Sequence, residues 1–269
     1  CKGRDPRMAQ TLRTPGYAID GVSTPADLSS MKLGYQLRKY YINVQYDGFS
    51  EVDLPVFRLA EVYLNLAEAK AELGTLTQAD LDNTVNKLRA RAGVTGNLQI
   101  GVAAEPWIKS CYPTLAAANP SNLGVILEIR RERTVELVME GFRYWDIMRW
   151  KEGKEFEEEF LGMYIPSAGP IDVDGDGKAD FNIATASNPG TPNEGKTLKI
   201  GENLTLVEPS AGGSTYNGES GFLTVHRQDV MQRKWIEERD YLYPIPTKER
   251  VLTNGALKQN PGWDDKLGL

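Results

Sequence analysis

The chain has 269 residues, a formal net charge of −6 and an apolar content of 41%, all of which are ordinary for a globular protein with a sizeable core. The acidic balance, with a pI near 5.1, argues against nucleic-acid binding and against electrostatic docking to anionic membranes. The single histidine, His226, excludes multi-histidine metal sites and leaves little room for a Ser-His-Asp centre.

The first part of the chain, residues 1–53, is predicted to be irregular, because turn signals built on proline and glycine recur along it. No apolar run in the chain approaches the length of a membrane span, and no signal peptide is recognised. The two cysteines, Cys1 and Cys111, leave a disulfide between them open, since sequence does not test its geometry.

Two helices are predicted next. The first spans Pro55–Leu73, with Asp53 as its N-cap and an apolar stripe made of Leu59, Val62, Tyr63, Leu66 and Ala69.

The second helix runs from Thr77 to Gly93 and begins with a capping box in which Asp80 takes the usual glutamate position. Together the two helices resemble one tetratricopeptide unit, but no second copy follows at a fixed period. The sequence therefore predicts that this hairpin packs against a partner surface.

An arginine-rich stretch, residues 124–153, is predicted to be a long helix followed by a second, aromatic helix after Gly141. Glutamates recur every four residues along the first helix, at Glu128, Glu132, Glu136 and Glu140, and arginines lie between them. Two carboxylates placed across a glycosidic bond would suit a glycoside hydrolase. We interpret the series instead as structural ion pairs, since such networks often imitate catalytic sites.

From residue 154 onwards glycine, proline and small polar residues dominate, and the pieces Leu198–Ile200 and Leu204–Val207 predict small hairpins. The predicted fold is therefore mainly α, with tetratricopeptide-like helical hairpins and a loop-rich C-terminal region carrying a few short β-hairpins. We expect a single domain over residues 1–269, in which 1–153 form a mainly helical scaffold and 154–269 pack on it.

The segment 172–180 matches much of a calcium-binding loop. The predicted oxygen ligands are the carboxylates of Asp172, Asp174, Asp176 and Asp180 and the carbonyl of Lys178. The twelfth position of such a loop, which requires a bidentate glutamate, is occupied by Ile183. Calcium binding and a plain hairpin with solvated carboxylates both remain open.

Aromatic side chains in predicted loops could stack on sugar rings, although such residues more often pack in a core. The candidate ligand-binding residues are Tyr17, Tyr35, Tyr46, Trp107 and Tyr216.

Several segments, taken together and in order, resemble the SusD/RagB family of outer-membrane nutrient-binding lipoproteins. They are Arg4-Asp-Pro-Arg7 and the stretches 57–69, 85–93, 129–150, 243–246 and 260–263. The resemblance spans almost the whole chain, which is similar to the C-terminal half of the family.

The resemblance implies an α-rich fold and non-catalytic binding of glycans or other nutrients at the cell surface. It also implies delivery to a SusC-like TonB-dependent transporter, no required cofactor, and a lipid anchor on an N-terminal part that precedes these residues. No binding residue is carried over from the family. The alternatives are a tetratricopeptide-type protein-interaction scaffold without a sugar ligand and an α-rich glycoside hydrolase that uses Glu132 or Glu136.

Overall fold

The computed structural model describes residues 3–40, 53, 55–191, 195–210, 214–225 and 233–263. Cys1, Tyr46 and His226 lie outside these residues, so the predictions that concern them stay predictions. Among the described residues, none of the helices has the length and apolar character needed to span a membrane.

The chain divides into two compact units that alternate along the sequence. Unit 1 comprises Cys1–Ala67, Thr77–Leu98 and Glu159–Val230, and unit 2 comprises Glu68–Leu76, Gln99–Glu158 and Met231–Leu269. The prediction of a single domain, with a mainly helical part over 1–153 and a loop-rich part over 154–269, stays a prediction.

The helices that contribute to unit 1 are short, apart from one that begins there and ends in unit 2. They are α1 (Arg7–Thr11), α2 (Leu59–Glu72, continuing into unit 2), α3 (Gln78–Asn83) and α4 (Val85–Ala92). The capping box at the start of α3 is confirmed, because the Thr77 hydroxyl accepts the Asp80 N–H and the Asp80 carboxylate accepts the Thr77 N–H. Gly93 ends α4 in the left-handed conformation, at φ 74°, as predicted.

The prediction of one unbroken helix from Thr77 to Gly93 is wrong at Thr84. The Thr84 hydroxyl donates to the Asp80 carbonyl at 2.6 Å, and the Thr84 backbone adopts φ −127° and ψ −93°, outside the helical region. A side-chain hydrogen bond of this kind competes with the helical ladder, so the segment forms α3 and α4.

Helix α2 differs from the prediction at its start and in the face that it buries. It begins at Leu59, after bends at Val56 and Phe57, so Asp53 is not its N-cap. The buried face is the alanine-rich one, made of Ala60, Leu64, Ala67 and Ala71. The predicted stripe of larger residues is mostly exposed. Helix α2 has apolar residues on both faces, and its alanine face is the buried one because small side chains allow neighbouring elements to approach the helix more closely.

In its described residues, unit 1 also contains two larger sheets that the sequence predicted only in part. One has four antiparallel strands in the order β3 (Leu161–Ile165), β9 (Gly221–Thr224), β7 (Leu206–Glu208) and β8 (Thr215–Tyr216). The other has three strands, β4 (Gly169–Ile171), β5 (Phe181–Ala184) and β6 (Lys196–Lys199). A separate hairpin joins β1 (Ala18–Ile19) and β2 (Val22–Ser23).

The predicted hairpin at Leu204–Val207 is confirmed, because β7 pairs antiparallel with β8, the next strand along the chain. The predicted hairpin at Leu198–Ile200 is wrong. Strand β6 pairs with β5 in parallel, and parallel neighbours need a long crossover rather than a tight turn. Both sheets contribute to one core of unit 1, which contains Leu28, Ile165, Phe181, Ile183, Leu198, Leu204, Leu206 and Leu223.

Unit 2 is helical where it is described. Its helices are α5 (Pro106–Ser110), α6 (Pro113–Ala118), α7 (Leu123–Glu136), α8 (Phe142–Trp150), a 3-10 helix (Gly153–Glu157) and α9 (Thr247–Leu252). The predicted break between the arginine-rich and aromatic helices is confirmed, because Gly141 precedes α8 at φ 80°. The described part of the chain is thus rich in helices with small sheets, as predicted at that level, and tetratricopeptide-like pairing stays a prediction.

Candidate functional site

A buried carboxylate, Glu68, joins the end of α2 to α8 within unit 2. Its oxygens accept hydrogen bonds from the Arg149 guanidinium, with an Nη2–Oε2 distance of 2.7 Å, and from Trp150 Nε1 at 2.6 Å. Burial by itself raises the pKa of Glu68, but the hydrogen bonds from Arg149 and Trp150 outweigh it and lower the pKa below its ordinary value. Glu68 is therefore an ionised structural group at neutral pH.

Helices α7 and α8 are joined by a second buried pair. Arg133 Nε donates to Asp146 Oδ2 at 2.7 Å, and Arg149 Nε donates to the other Asp146 oxygen at 3.0 Å. Both Arg133 and Asp146 are buried. The arginine-rich helix thus fixes its neighbour through charge-assisted hydrogen bonds, which gives Arg133 a structural role.

Arg130 is buried on the same helix and lies over the Trp150 ring, 4.4 Å from its centroid. The Arg130 guanidinium also lies 3.6 Å from Glu152 and 3.6 Å from Glu72. Glu152 in turn accepts the backbone N–H of Thr114 at 2.9 Å, at the start of α6. Desolvation lowers the pKa of Arg130 against the attraction of these carboxylates. These contacts connect α6, α7 and α8, and they leave Arg130 inside the unit.

The glutamates considered for glycoside hydrolysis are enclosed in the same helix packing. Glu132 and Glu136 are each 4% exposed, and Glu128 binds Arg131 at 3.1 Å. Hydrolysis requires two carboxyl groups on either side of a sugar that reaches both of them. A sugar cannot reach two buried side chains on one face of a packed helix, so the geometry favours the ion-pair interpretation.

A concave feature of about 260 Å³ lies at the turn between α7 and α8. Its apolar lining is Leu137, Val138, Met139 and Phe142, and its polar lining includes Thr134, Arg143 and Tyr144. Small-molecule sites typically occupy roughly 300–1,000 Å³. The feature is therefore of a size for one ring or side chain, and it is too small for a whole oligosaccharide.

A row of aromatic rings in unit 2 was missed by the sequence analysis. Consecutive ring centroids lie 4.9–5.7 Å apart along Trp145, Tyr144, Phe156, Trp235 and Tyr241. Trp145 is 59% exposed at one end of the row. Tyr144 and Trp145 are adjacent in sequence, but Trp235 lies far along the chain, and no periodicity indicates that it joins them.

The predicted tyrosines of unit 1 differ in how accessible their rings and hydroxyls are to a ligand. Tyr35 is 48% exposed. Tyr17 is half-buried with the Arg38 guanidinium 4.6 Å from its ring centroid. The Tyr216 hydroxyl donates to Glu159 at 2.6 Å, and this hydrogen bond raises the pKa of Tyr216 to about 12. None of the described ring contacts joins these three tyrosines.

Among the predicted aromatics that the structure describes, Trp107 is the most exposed. It lies on α5 in unit 2 and is 66% exposed. A planar apolar ring with this exposure can stack on the C–H face of a sugar. The fifth predicted residue, Tyr46, lies outside the described residues.

The aspartate-rich segment connects β4 to β5 as an antiparallel hairpin loop. The side chains of Asp172, Asp174 and Asp176 converge, with one carboxylate oxygen from each lying within 4.8 Å of the others. Asp180 faces back into the loop, because its carboxylate accepts the Val173 N–H at 2.8 Å.

Backbone N–H groups already occupy part of this carboxylate cluster. Asp172 accepts from Gly175 at 2.6 Å and from Gly177 at 2.8 Å, and these bonds lower the pKa of Asp172. The Asp176 carboxylate accepts the Lys178 N–H at 2.8 Å. Ile183, at the twelfth position, is fully buried in β5, and its side chain has no oxygen to offer a cation. The loop can present three carboxylates to a cation, and it also has the geometry of a self-capped hairpin turn.

Comparison with known proteins identifies one family. A model described as the SusD family matches residues 1–263. No match was found among curated proteins.

Two solved structures are similar in fold. One is a SusD-like protein from Bacteroides fragilis NCTC 9343, with 22% identity and a TM-score of 0.57 over 97% of this chain and 40% of that chain. The other, described as selenomethionine BT4246, has 22% identity and a TM-score of 0.50 over 97% of this chain and 38% of that one. The chain therefore spans about two fifths of the length of either neighbour.

Proposed function

Because the chain belongs to the SusD family, whose model matches residues 1–263, we propose that it binds glycans or other nutrients at the cell surface without catalysis. In this proposal the protein is located at the outer membrane and passes its ligand to a SusC-like TonB-dependent transporter. The family match is the observation that carries the proposal. Family membership supports nutrient binding as a class of activity, and the identity of the ligand belongs to the proposal.

The exposed aromatic side chains support glycan as the ligand class. Tyr35 and Trp107 are 48% and 66% exposed, and an aromatic ring offers a large contact area at a small cost in conformational entropy. Tyr17 and Tyr216 are weaker candidates, because an arginine covers one ring and a carboxylate holds the other hydroxyl. Tyr35 in unit 1 and Trp107 in unit 2 are therefore the two candidate sugar contacts, each considered separately.

Affinity gel electrophoresis tests the proposal. The 269-residue chain is run through native gels that contain starch, xylan, mannan or pectin, beside a protein of similar size that does not bind glycans. We expect retardation in at least one gel, and a loss of retardation in the Trp107→Ala or Tyr35→Ala variant. Leu252→Ala, a change at another exposed apolar side chain, is the matched control and should keep the retardation.

Each alternative gives a different result in the same series. Migration unchanged by every polysaccharide, together with a stable complex with another protein, would favour the protein-interaction scaffold. Shortening of a glycan that disappears in Glu132→Gln would favour the hydrolase and contradict the proposal.

A further inference from the structure

The cavity of about 260 Å³ at the turn between α7 and α8 lies wholly within unit 2. Its lining residues all fall between Arg133 and Asp146, so one continuous segment forms it: the end of α7, the turn and the start of α8. The apolar part of the lining consists of Leu137, Val138, Met139 and Phe142. Because an apolar cavity of about 150 Å³ holds a benzene molecule, this one has room for a six-membered ring with a small substituent.

Arg143 places a positive charge at the wall of this cavity. Its Nη1 donates to the hydroxyl oxygens of Tyr112 and Thr134, at 3.1 Å in each case, and Thr134 also lines the cavity. The rings of Tyr112 and Trp150 lie 5.6 and 5.9 Å from Arg143 Cζ. These neutral groups hold the guanidinium in place, and they leave its charge without a counter-charge.

The Nε–Nη2 edge of Arg143 is the part of the guanidinium that remains for a ligand. Among the described residues this edge donates no hydrogen bond, since both bonds of Arg143 come from Nη1. Glu155 attracts Arg143, but the two do not form an ion pair. An edge of this kind binds a carboxylate through two parallel hydrogen bonds.

The turn that closes the cavity has an unusual backbone conformation. Met139 has φ 67°, in the left-handed region that large side chains rarely adopt. Strained residues of this kind are concentrated at ligand-binding and catalytic sites. The unbranched side chain of Met139 also adapts its shape to an apolar ligand.

We propose that the α7–α8 cavity binds a compact carboxylic acid whose apolar body is one ring. The ring packs against Leu137 and Met139, and the carboxylate accepts two hydrogen bonds from the Nε–Nη2 edge of Arg143. A sugar fits less well, because its hydroxyl groups would be placed against apolar walls without partners. The site goes beyond the proposed glycan contacts, since it takes a different class of ligand and needs neither Tyr35 nor Trp107.

Calorimetric titration of the 269-residue chain with benzoate at pH 7 tests the proposal. We expect saturable heat with a Kd of roughly 0.1–1 mM, which is reasonable for a ligand of about nine non-hydrogen atoms. Benzamide has the same shape without the charge and should bind about tenfold more weakly or worse. Absence of heat with benzoate, or equal affinity for both compounds, would overturn the proposal.

Variants then test the role of Arg143. Arg143→Lys keeps the positive charge but loses the two parallel donors, so benzoate should bind roughly tenfold more weakly. Lys109→Ala removes an exposed cation from α5 of the same unit and should leave the affinity unchanged. Unchanged affinity in Arg143→Lys would contradict the assigned contact.

Nuclear magnetic resonance of the methionine methyl groups locates the ligand in the unaltered chain. The chain has six methionines, and the Met139 signal is assigned by its absence in Met139→Leu. Benzoate should shift this signal and leave that of Met163, in unit 1, in place. A shift that spares Met139 would place the ligand elsewhere and overturn the proposal. None of these outcomes affects retardation by polysaccharides, so the proposed function is tested separately.

Discussion

Replacement of Glu68 by alanine should destabilise the protein more than replacement of any other single carboxylate discussed above. The side chain is 5% exposed, and its oxygens serve both the Arg149 guanidinium and Trp150 Nε1. Glu68→Ala removes these acceptors together and leaves the indole N–H buried without a partner.

The expected loss in the free energy of unfolding follows from the surroundings of each hydrogen-bond donor. Removal of one partner of a buried ion pair costs about 3–5 kcal/mol. Arg149 is 43% exposed and keeps Asp146 as a second partner, so the expected loss lies at the lower end, about 3 kcal/mol. For a chain of this length that corresponds to a fall of roughly 6–12 °C in Tm. Glu68→Gln should cost less, because its amide oxygen can still accept from the indole.

The assay is equilibrium unfolding in urea at pH 7, compared with Glu72→Ala. Glu72 is 49% exposed and lies 3.6 Å from Arg130, so its loss should cost less than about 1 kcal/mol. The pKa of Glu68 is lowered from 4.5 by its surroundings. Its contribution is thus complete above that value and is lost as the pH falls below it. Equal stability of Glu68→Ala and Glu72→Ala at pH 7 would refute the assignment of Glu68 as the central acceptor.

Three further predictions concern other parts of the chain. Burial raises the pKa of Glu155 from 4.5 to about 7, so the protein should lose stability as the pH rises from 4.5 to 7, by about 1 kcal/mol after discounting for solvent screening. A Tm–pH profile of Glu155→Gln should lack this slope, and an unchanged slope would contradict it. Gly124→Ala should cost about 1–3 kcal/mol in urea unfolding, because the added Cβ would lie 1.9 Å from a backbone oxygen, whereas Gly101→Ala, with nothing within 4 Å, should be neutral. The calcium hypothesis for Asp172–Asp180 predicts a dissociation constant of roughly 0.1–1 mM in calorimetry, lost in Asp172→Asn, and absence of heat in the unaltered chain would reject it.

The helical parts of the fold could be predicted where local signals act alone. The capping box at Thr77 and the glycines at positions 93 and 141 mark helix ends by short-range hydrogen bonding and by positive φ. These requirements do not depend on the rest of the fold. The arginine-rich helix and its aromatic successor were found from the helical periodicity of their apolar residues, which is also a local signal.

The choice of buried face on α2 could not be predicted. Periodicity showed that Leu59, Val62 and Leu66 share one face of the helix. The smaller residues Ala60 and Ala67 share another face. Because the larger side chains are more hydrophobic, the sequence alone predicts that their face is the buried one. Which face is buried depends on how closely the neighbouring elements approach, and that is a property of the tertiary structure.

The sheets of unit 1 were underestimated for a related reason. Strand β5 is short and buried along its whole length, and its parallel partner β6 begins only at Lys196. Neither strand shows a clear alternation, so the pattern of a half-buried strand is absent.

The candidate site was predictable only as a set of residue types. Exposed Tyr35 and Trp107 were identified. The Tyr216 hydroxyl, in contrast, is hydrogen-bonded to the Glu159 carboxylate, and the sequence does not indicate that these two residues meet. The aromatic row that includes Trp235 forms through contacts between residues far apart in the chain. Site geometry of this kind arises from tertiary packing, so it is found in the structure and not in a sequence motif.

The central claim, binding without catalysis, is tested most directly by one calorimetric titration followed by chromatography of the same sample. The chain is titrated with oligosaccharides prepared from whichever polysaccharide retards it, and the mixture is then separated by size. The account predicts saturable heat, a loss of that heat in Trp107→Ala or Tyr35→Ala, and oligosaccharides of unchanged length. The absence of heat with every glycan, or the appearance of shortened products, would contradict it.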